Sequence, residues 1–266
     1  MRLLKILLTM SAMPIYAYAA DCPPSNNELC NYSLGTFYHL DNVIGVNLYG
    51  VQNNATFSQN NLGTSNSNAT APGVEGFWDI QTGLGFYWSN HITYQNFLGT
   101  NGYTSDQASY NLKLGWSFQP VYDYWQITPY LAGSAGAGML NWDSTFNYGA
   151  GAGLRTEVAL GTRNSLYADY NYQLLIDGGG NFTTAYNQQF TGANAVATNG
   201  TSGNPTQQAF EFGYKHVFNC LFSMQAYYRV IQSNIDYSIA TTPNSNNNYS
   251  NLNQMVGVGV SWYTGM

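Results

Sequence analysis

Eight charged side chains, Asp79, Lys113, Arg155, Glu157, Asp169, Glu211, Lys215 and Arg229, stand almost singly in long neutral stretches. A pair of carboxylates such as Glu157 and Asp169 is the material of general acid and base chemistry, one holding a proton while the other stays ionised. Here, however, four acids are interleaved with four bases, a mixture that fits a structural network of ion pairs better than a catalytic pair. The three histidines, His39, His91 and His216, fall beside predicted tight turns, and the serine-rich stretches lack a GxSxG or comparable activating context. Cys22, Cys30 and Cys220 make no CxxC spacing, so zinc ligation and dithiol redox chemistry are not indicated, and no metal or cofactor is expected.

The elements that carry these charges show why they sit where they do. Residues 148–161 read YGAGAGLRTEVALG. In an extended chain successive side chains point to opposite faces. Tyr148, Leu154, Val158 and Leu160 then share an apolar face, and Gly149, Gly151, Gly153, Arg155 and Glu157 share the other. The glycines either make room for long side chains from facing strands or ease sheet curvature, and the sequence leaves both open.

The first nineteen residues have a basic start at Arg2 and Lys5, an apolar run from Leu3 to Met10 and a small-x-small site at Ala17–Ala19, the pattern of a secretory signal peptide. Asp21 before Cys22 is not the small residue of a lipid-anchoring signal. Residues 20–41 form an expected N-terminal segment in which Cys22 and Cys30, in an oxidising compartment, close a disulfide loop around PPSNNEL. Without the leader, five basic residues remain against thirteen acidic ones, which excludes nucleic acid as a partner. Only 8% of the chain is charged while 23 residues are Tyr and 28 are Gly, an unusual composition for a surface in contact with water.

Period-2 alternation predicts ten strands, at about 42–51, 76–86, 91–98, 108–118, 126–139, 147–160, 165–176, 207–218, 222–235 and 251–263, with eight as the alternative if 91–98 and one neighbour are loop. The breaks alternate too. YWSN, PVYDYW, GTRN and NCL are tight turns, whereas 52–75 and 177–206 are long and the rest are intermediate. Residues 42–266 therefore read as one all-β domain with its longer loops at one end.

That pattern resembles bacterial outer-membrane β-barrels. Its carriers are ITPYLAGSAGAG at 127–138, similar to strands of small OmpA-type and opacity-type barrels, and the closing strand QMVGVGVSWY at 254–263. The resemblance implies a single antiparallel transmembrane barrel in the bacterial cell outer membrane, with tight turns in the periplasm and long loops outside. It also implies contact with outer-membrane lipid and with the barrel-insertion machinery, which reads a terminal aromatic residue. Here Thr264, Gly265 and Met266 follow Tyr263, a departure from the family pattern.

The charges agree with an inside-out arrangement. One face of the predicted strands carries Ile44, Val46 and Leu48, then Tyr110, Leu112 and Leu114, and finally Val256, Val258 and Val260, with no charge among them. The eight charged residues named above lie on the opposite faces, and a soluble β-sandwich offers no reason for this segregation. A lumen of about ten strands has little free space, so these groups are expected to pair across it and narrow it. Hairpin parity further pairs Phe218 with Phe222 across a three-residue turn, placing Glu211 opposite Arg229. Barrel proteases and lipid A hydrolases place their Asp and His at the outer rim or outer leaflet, and nothing here matches. The expected role is structural or surface-interacting and not enzymatic, with the neutral Asn/Thr/Ser-rich loops available to a host or glycan ligand. A small-solute diffusion porin is the first alternative and an outer-membrane hydrolase the second.

Overall fold

The computed structural model describes residues 41–59, 63–82, 84–99, 104–121, 124–140, 143–160, 163–177, 198–201, 205–219, 222–239 and 242–264. They form β1 (Asp41–Gln59), β2 (Gly63–Gln81), β3 (Phe86–Gly99), β4 (Thr104–Trp116), β5 (Phe118–Val121), β6 (Trp125–Leu140), β7 (Asp143–Ala159), β8 (Asn164–Asp177), β9 (Thr198–Thr201), β10 (Thr206–Asn219), β11 (Phe222–Ile239) and β12 (Thr242–Tyr263). Ten are long, and each pairs antiparallel with its neighbours in the order β10-β8-β7-β6-β4-β3-β2-β1-β12-β11; β10 then pairs with β11 and closes the ring. The count is ten, not eight. The terminal strands β1 and β12 meet from Val43 opposite Tyr263 to Ser58 opposite Asn248. Short β5 pairs with β6, and short β9 with β11.

Closure leaves no edge through the membrane zone, and the two faces of the strands divide as the alternation requires. Leu48, Leu131, Val256 and Val258 are 55–70% exposed on the outside. Glu75 and Asp169, on the inside, are 0% and 3% exposed. A closed barrel with an apolar belt outside and its charges inside spans a membrane, and barrels of this kind are those of the bacterial outer membrane. On β1 the belt runs from Ile44 to Gly50 before Gln52 begins the polar part. Trp78, Trp88, Trp116, Trp125 and Trp262 line its tight-turn end, and Tyr94, Tyr110, Tyr148, Tyr172 and Tyr228 lie on the exterior nearer the other rim. Such aromatic girdles sit where one end of the side chain is apolar and the other wet.

Three features differ from the sequence reading. The turn between β2 and β3 is built on Thr82–Gly85, not on YWSN: Gly85 donates to the Thr82 carbonyl at 2.8 Å and has a φ of +93°, which glycine alone adopts easily. Ser89 thereby faces inward on β3 while Trp88 and Asn90 face outward. Between β10 and β11 two residues intervene where three were expected. The register shifts there, pairing Asn219 with Phe222 in place of Phe218 with Phe222.

The third difference is larger. Residues 52–59 and 63–75 were expected to be loop, yet β1 and β2 continue as a paired hairpin to Gln59 opposite Gly63, and β11 and β12 continue likewise to Ile239 opposite Thr242. Above the lipid belt neither sheet face needs to be apolar, so period 2 vanishes from the sequence although the strands persist. Asn53 donates to Asn253 at 2.7 Å, and Ser58 and Thr64 share a hydrogen bond at 3.3 Å. This four-stranded overhang extends β1 by eight residues past Val51, about 27 Å along the strand.

Candidate functional site: a side-chain plug across the lumen

One row of inward residues crosses four neighbouring strands: Arg155 on β7 lies opposite Asp169 on β8, Asp169 opposite Glu211 on β10, and Glu211 opposite Arg229 on β11. The pattern is base, acid, acid, base. Two adjacent carboxylates repel, so each needs a cation of its own. Glu211 accepts from Arg229 Nε at 2.5 Å, and Asp169 accepts from Lys113 Nζ of β4 at 2.6 Å.

The Lys113 bridge joins strands three steps apart around the ring, across the lumen. A second bridge does the same from the other side: Arg229 grips Glu75 of β2 with Nη1 at 2.7 Å and Nη2 at 3.1 Å, the bidentate fork a guanidinium offers a carboxylate. Glu75 also accepts from Asn47 at 2.6 Å, and Asn47 accepts from Gln225 at 2.8 Å. His91 lies between Glu75 and Asp79, at 3.3 Å and 3.5 Å. On the β7 side, Arg155 Nη2 is 3.4 Å from Glu157, whose other oxygen accepts from Ser165 at 2.6 Å. Lys215 lies over the Tyr263 ring, 5.1 Å from its centre.

Tyrosines fill the space that these charges leave. Tyr49, Tyr130, Tyr167 and Tyr227 are all below a tenth exposed. Tyr130 donates to Asp169 and Tyr167 to Glu211 at 2.8 Å, while the Arg155 guanidinium stacks 4.3 Å from the Tyr167 ring centre. Each of these four rings lies over a glycine directly opposite on the next strand: Tyr49 on Gly73, Tyr130 on Gly153, Tyr167 on Gly213 and Tyr227 on Gly257. A Cβ at any of those glycines would collide with the ring. Gly153 therefore makes room for Tyr130, and Gly149 for Ser134 and Gln173. Next to this layer, Val51, Ala71 and Met255 pack with Tyr49, Tyr167 and Tyr227 as a small apolar core inside the barrel.

All eight charged residues named from the sequence face the lumen. Two members of the network, Glu75 and His91, escaped that reading. Glu75 fell at the end of a segment taken for loop, and His91 was assigned to the tight-turn end because β3 was started five residues late. With Glu75, five acids face the lumen among the described side chains. Asp106 corrects the opposite face: β4 begins at Thr104, which puts this carboxylate outside near the rim, where Tyr94 donates to it at 3.0 Å. His216 packs edge-on against Phe218, 4.6 Å between ring centres, and shares a 2.7 Å hydrogen bond with Asn164. Residues 1–40 and Cys220, and with them the signal peptide, Cys22, Cys30 and His39, lie outside the described residues.

The arrangement neutralises charge across the lumen. It is poorly suited to proton transfer at His91, whose two ring nitrogens both face carboxylates and leave neither for a hydroxyl or water nucleophile.

No family model and no curated protein matches the chain. Among solved structures, the β domain of the Bordetella autotransporter BrkA is 11% identical, with 85% of this chain and 100% of that one covered and a TM-score of 0.46. The outer-membrane protease OmpT of Escherichia coli is 8% identical over 84% and 96%, with a TM-score of 0.44. A Pseudomonas aeruginosa FadL homologue is 9% identical over 87% and 92%, with a TM-score of 0.35. Likeness at this level does not extend the activity of any of them to this chain.

Proposed function

We propose that this outer-membrane barrel is a closed, non-enzymatic scaffold that presents the overhang of β1, β2, β11 and β12 as an adhesin-like interaction surface. The observation that carries the reading is the pair of cross-lumen bridges, Lys113 to Asp169 and Arg229 to Glu75, each joining walls three strands apart. A diffusion porin needs a continuous water path, and in this reading the bridges and the tyrosines that complete them occupy it. Liposomes carrying the protein should not swell in isotonic small sugars. Swelling at a rate comparable with a general porin would support the porin alternative instead.

The surface role rests on the chemistry of the overhang. Gln52, Thr64, Asn66, Asn68, Thr70 and Gln232 are exposed amides and hydroxyls, and none carries a charge. Such a surface suits uncharged, hydroxyl-rich partners such as neutral glycans and offers nothing to polyanions. Cells displaying the protein should bind neutral glycans or host surfaces more strongly than cells displaying a variant whose β1–β2 hairpin is shortened above Gln52. Equal binding would remove the surface role without touching the closed lumen. In the same reading the insertion machinery is the biogenesis partner, and Cys22 and Cys30 form a disulfide. Thiol labelling of the unreduced, denatured protein should then find one free cysteine, Cys220.

A further inference from the structure

His91 occupies a seat with a carboxylate on each side. It lies on β3 opposite Phe77 of β2, so the inward residues two before and two after Phe77, Glu75 and Asp79, flank the ring. Nδ1 is 3.3 Å from Glu75 Oε1 and Nε2 is 3.5 Å from Asp79 Oδ1. The imidazole stacks on the Phe77 ring, 5.5 Å between centres and 22° between planes, which fixes the direction of both nitrogens. A neutral imidazole has one N–H and one lone pair, so in this seat one carboxylate would face a lone pair; only the imidazolium offers an N–H to each. Among the described lumen-facing side chains, Glu75, Asp79, Glu157, Asp169 and Glu211 oppose only four permanent cations, Lys113, Arg155, Lys215 and Arg229.

We infer that His91 is an imidazolium and the fifth cation of the lumen, and that its proton fastens the β2–β3 wall to the plug. The groups around it are unequal in what they lose when that proton leaves. On β2, Glu75 keeps Arg229 of β11 and Asn47 of β1. Asp79 keeps the Ser89 hydroxyl of β3 but no cation as near, since Arg155 of β7 acts on it only through space. On β4, Asn111 stands directly opposite His91, and Lys113, one inward position further, is held by Asp169. Tyr87 on β3 and Tyr49 on β1 complete the titratable neighbours, each next to one of the two carboxylates. Loss of the proton therefore leaves Glu75 and Asp79 facing each other across an uncharged ring, and the wall loosens on the Asp79 side. The plug holds at neutral pH, where His91 carries its proton and both carboxylates are ionised, and weakens in alkali as that proton leaves.

The inference rests on the closed-lumen reading only for its consequence. Its test reads protonation and fold, so either can fail without the other. In a full-length barrel carrying His39→Gln and His216→Gln, His91 is the sole histidine, and the 15N spectrum of the folded protein in detergent at neutral pH should show both ring nitrogens protonated. One unprotonated nitrogen would overturn the inference. A second measurement follows the urea midpoint from neutral to alkaline pH: it should fall for the parent protein and stay flat and low for His91→Gln. A His91→Gln protein that keeps the parent's pH dependence would assign the titration to another group and overturn the inference as well.

Discussion

Asn111 and Leu112 are adjacent in β4 and live under opposite rules. Leu112 faces lipid, where a charge has no partner and no water; Asn111 faces a lumen in which carboxylates and cations already hold one another, Asp169 with Lys113 and Glu75 with Arg229. The difference teaches that charge is not what this barrel avoids. It avoids charge without a counter-charge, on the exterior by exclusion and in the interior by pairing.

The strongest way to break that contrast is to orphan a buried charge in the lumen. Arg229→Gln takes the guanidinium from Glu75, which is fully buried, and from Glu211 at once, and should lower stability by about 3–5 kcal/mol, the range for removing one partner of a buried pair. Glu211→Gln combined with Arg229→Gln should cost less than the two single changes added together, and urea titration of the lipid-reconstituted barrel measures the cycle. Strict additivity would mean that the pair is not coupled. Next in size is a charge on the outside. Leu112→Arg or Val258→Arg should cost about 2–4 kcal/mol near the bilayer midplane and lower the yield of heat-modifiable barrel, with Asn111→Arg clearly milder. Equal damage from both faces would contradict the orientation. Smaller still is the loss of one phenol: Tyr167→Phe removes a hydrogen bond to a charged group and should cost about 1.5–3 kcal/mol. At the bottom lies the overhang, where Asn53→Ala removes one exposed cross-strand contact and should shift stability by about 0.5 kcal/mol or less.

The same contrast explains what the sequence disclosed. Wherever lipid presses on one face, alternation is strong, so period 2 marks the strands and the segregation of charge to one face marks the orientation. Wherever water touches both faces, as in 52–59, alternation disappears and strands pass for loops. Glu75, which lies opposite Asn47 within the belt, was lost because β2 was started one residue too late to include it. His91 was lost because Ser89 and Asn90 have turn-forming side chains, although TGLG just before them makes the turn. A signal for the tyrosine plug was present, in Gly and Tyr on inward positions of adjacent strands, but it becomes legible only when the register opposes Tyr130 to Gly153 and Tyr167 to Gly213. Which carboxylate takes which cation across the lumen was not legible, because it depends on barrel diameter and side-chain reach and on no local pattern.

The central claim is that the lumen is closed by its own side chains, and single-channel recording in planar bilayers tests it most directly. The parent protein should insert without steady openings, and the double variant Glu75→Ala with Arg229→Ala, which removes the Arg229–Glu75 bridge across the lumen, should give measurable conductance. Stable, ohmic openings of the parent protein, unchanged in the double variant, would contradict the account.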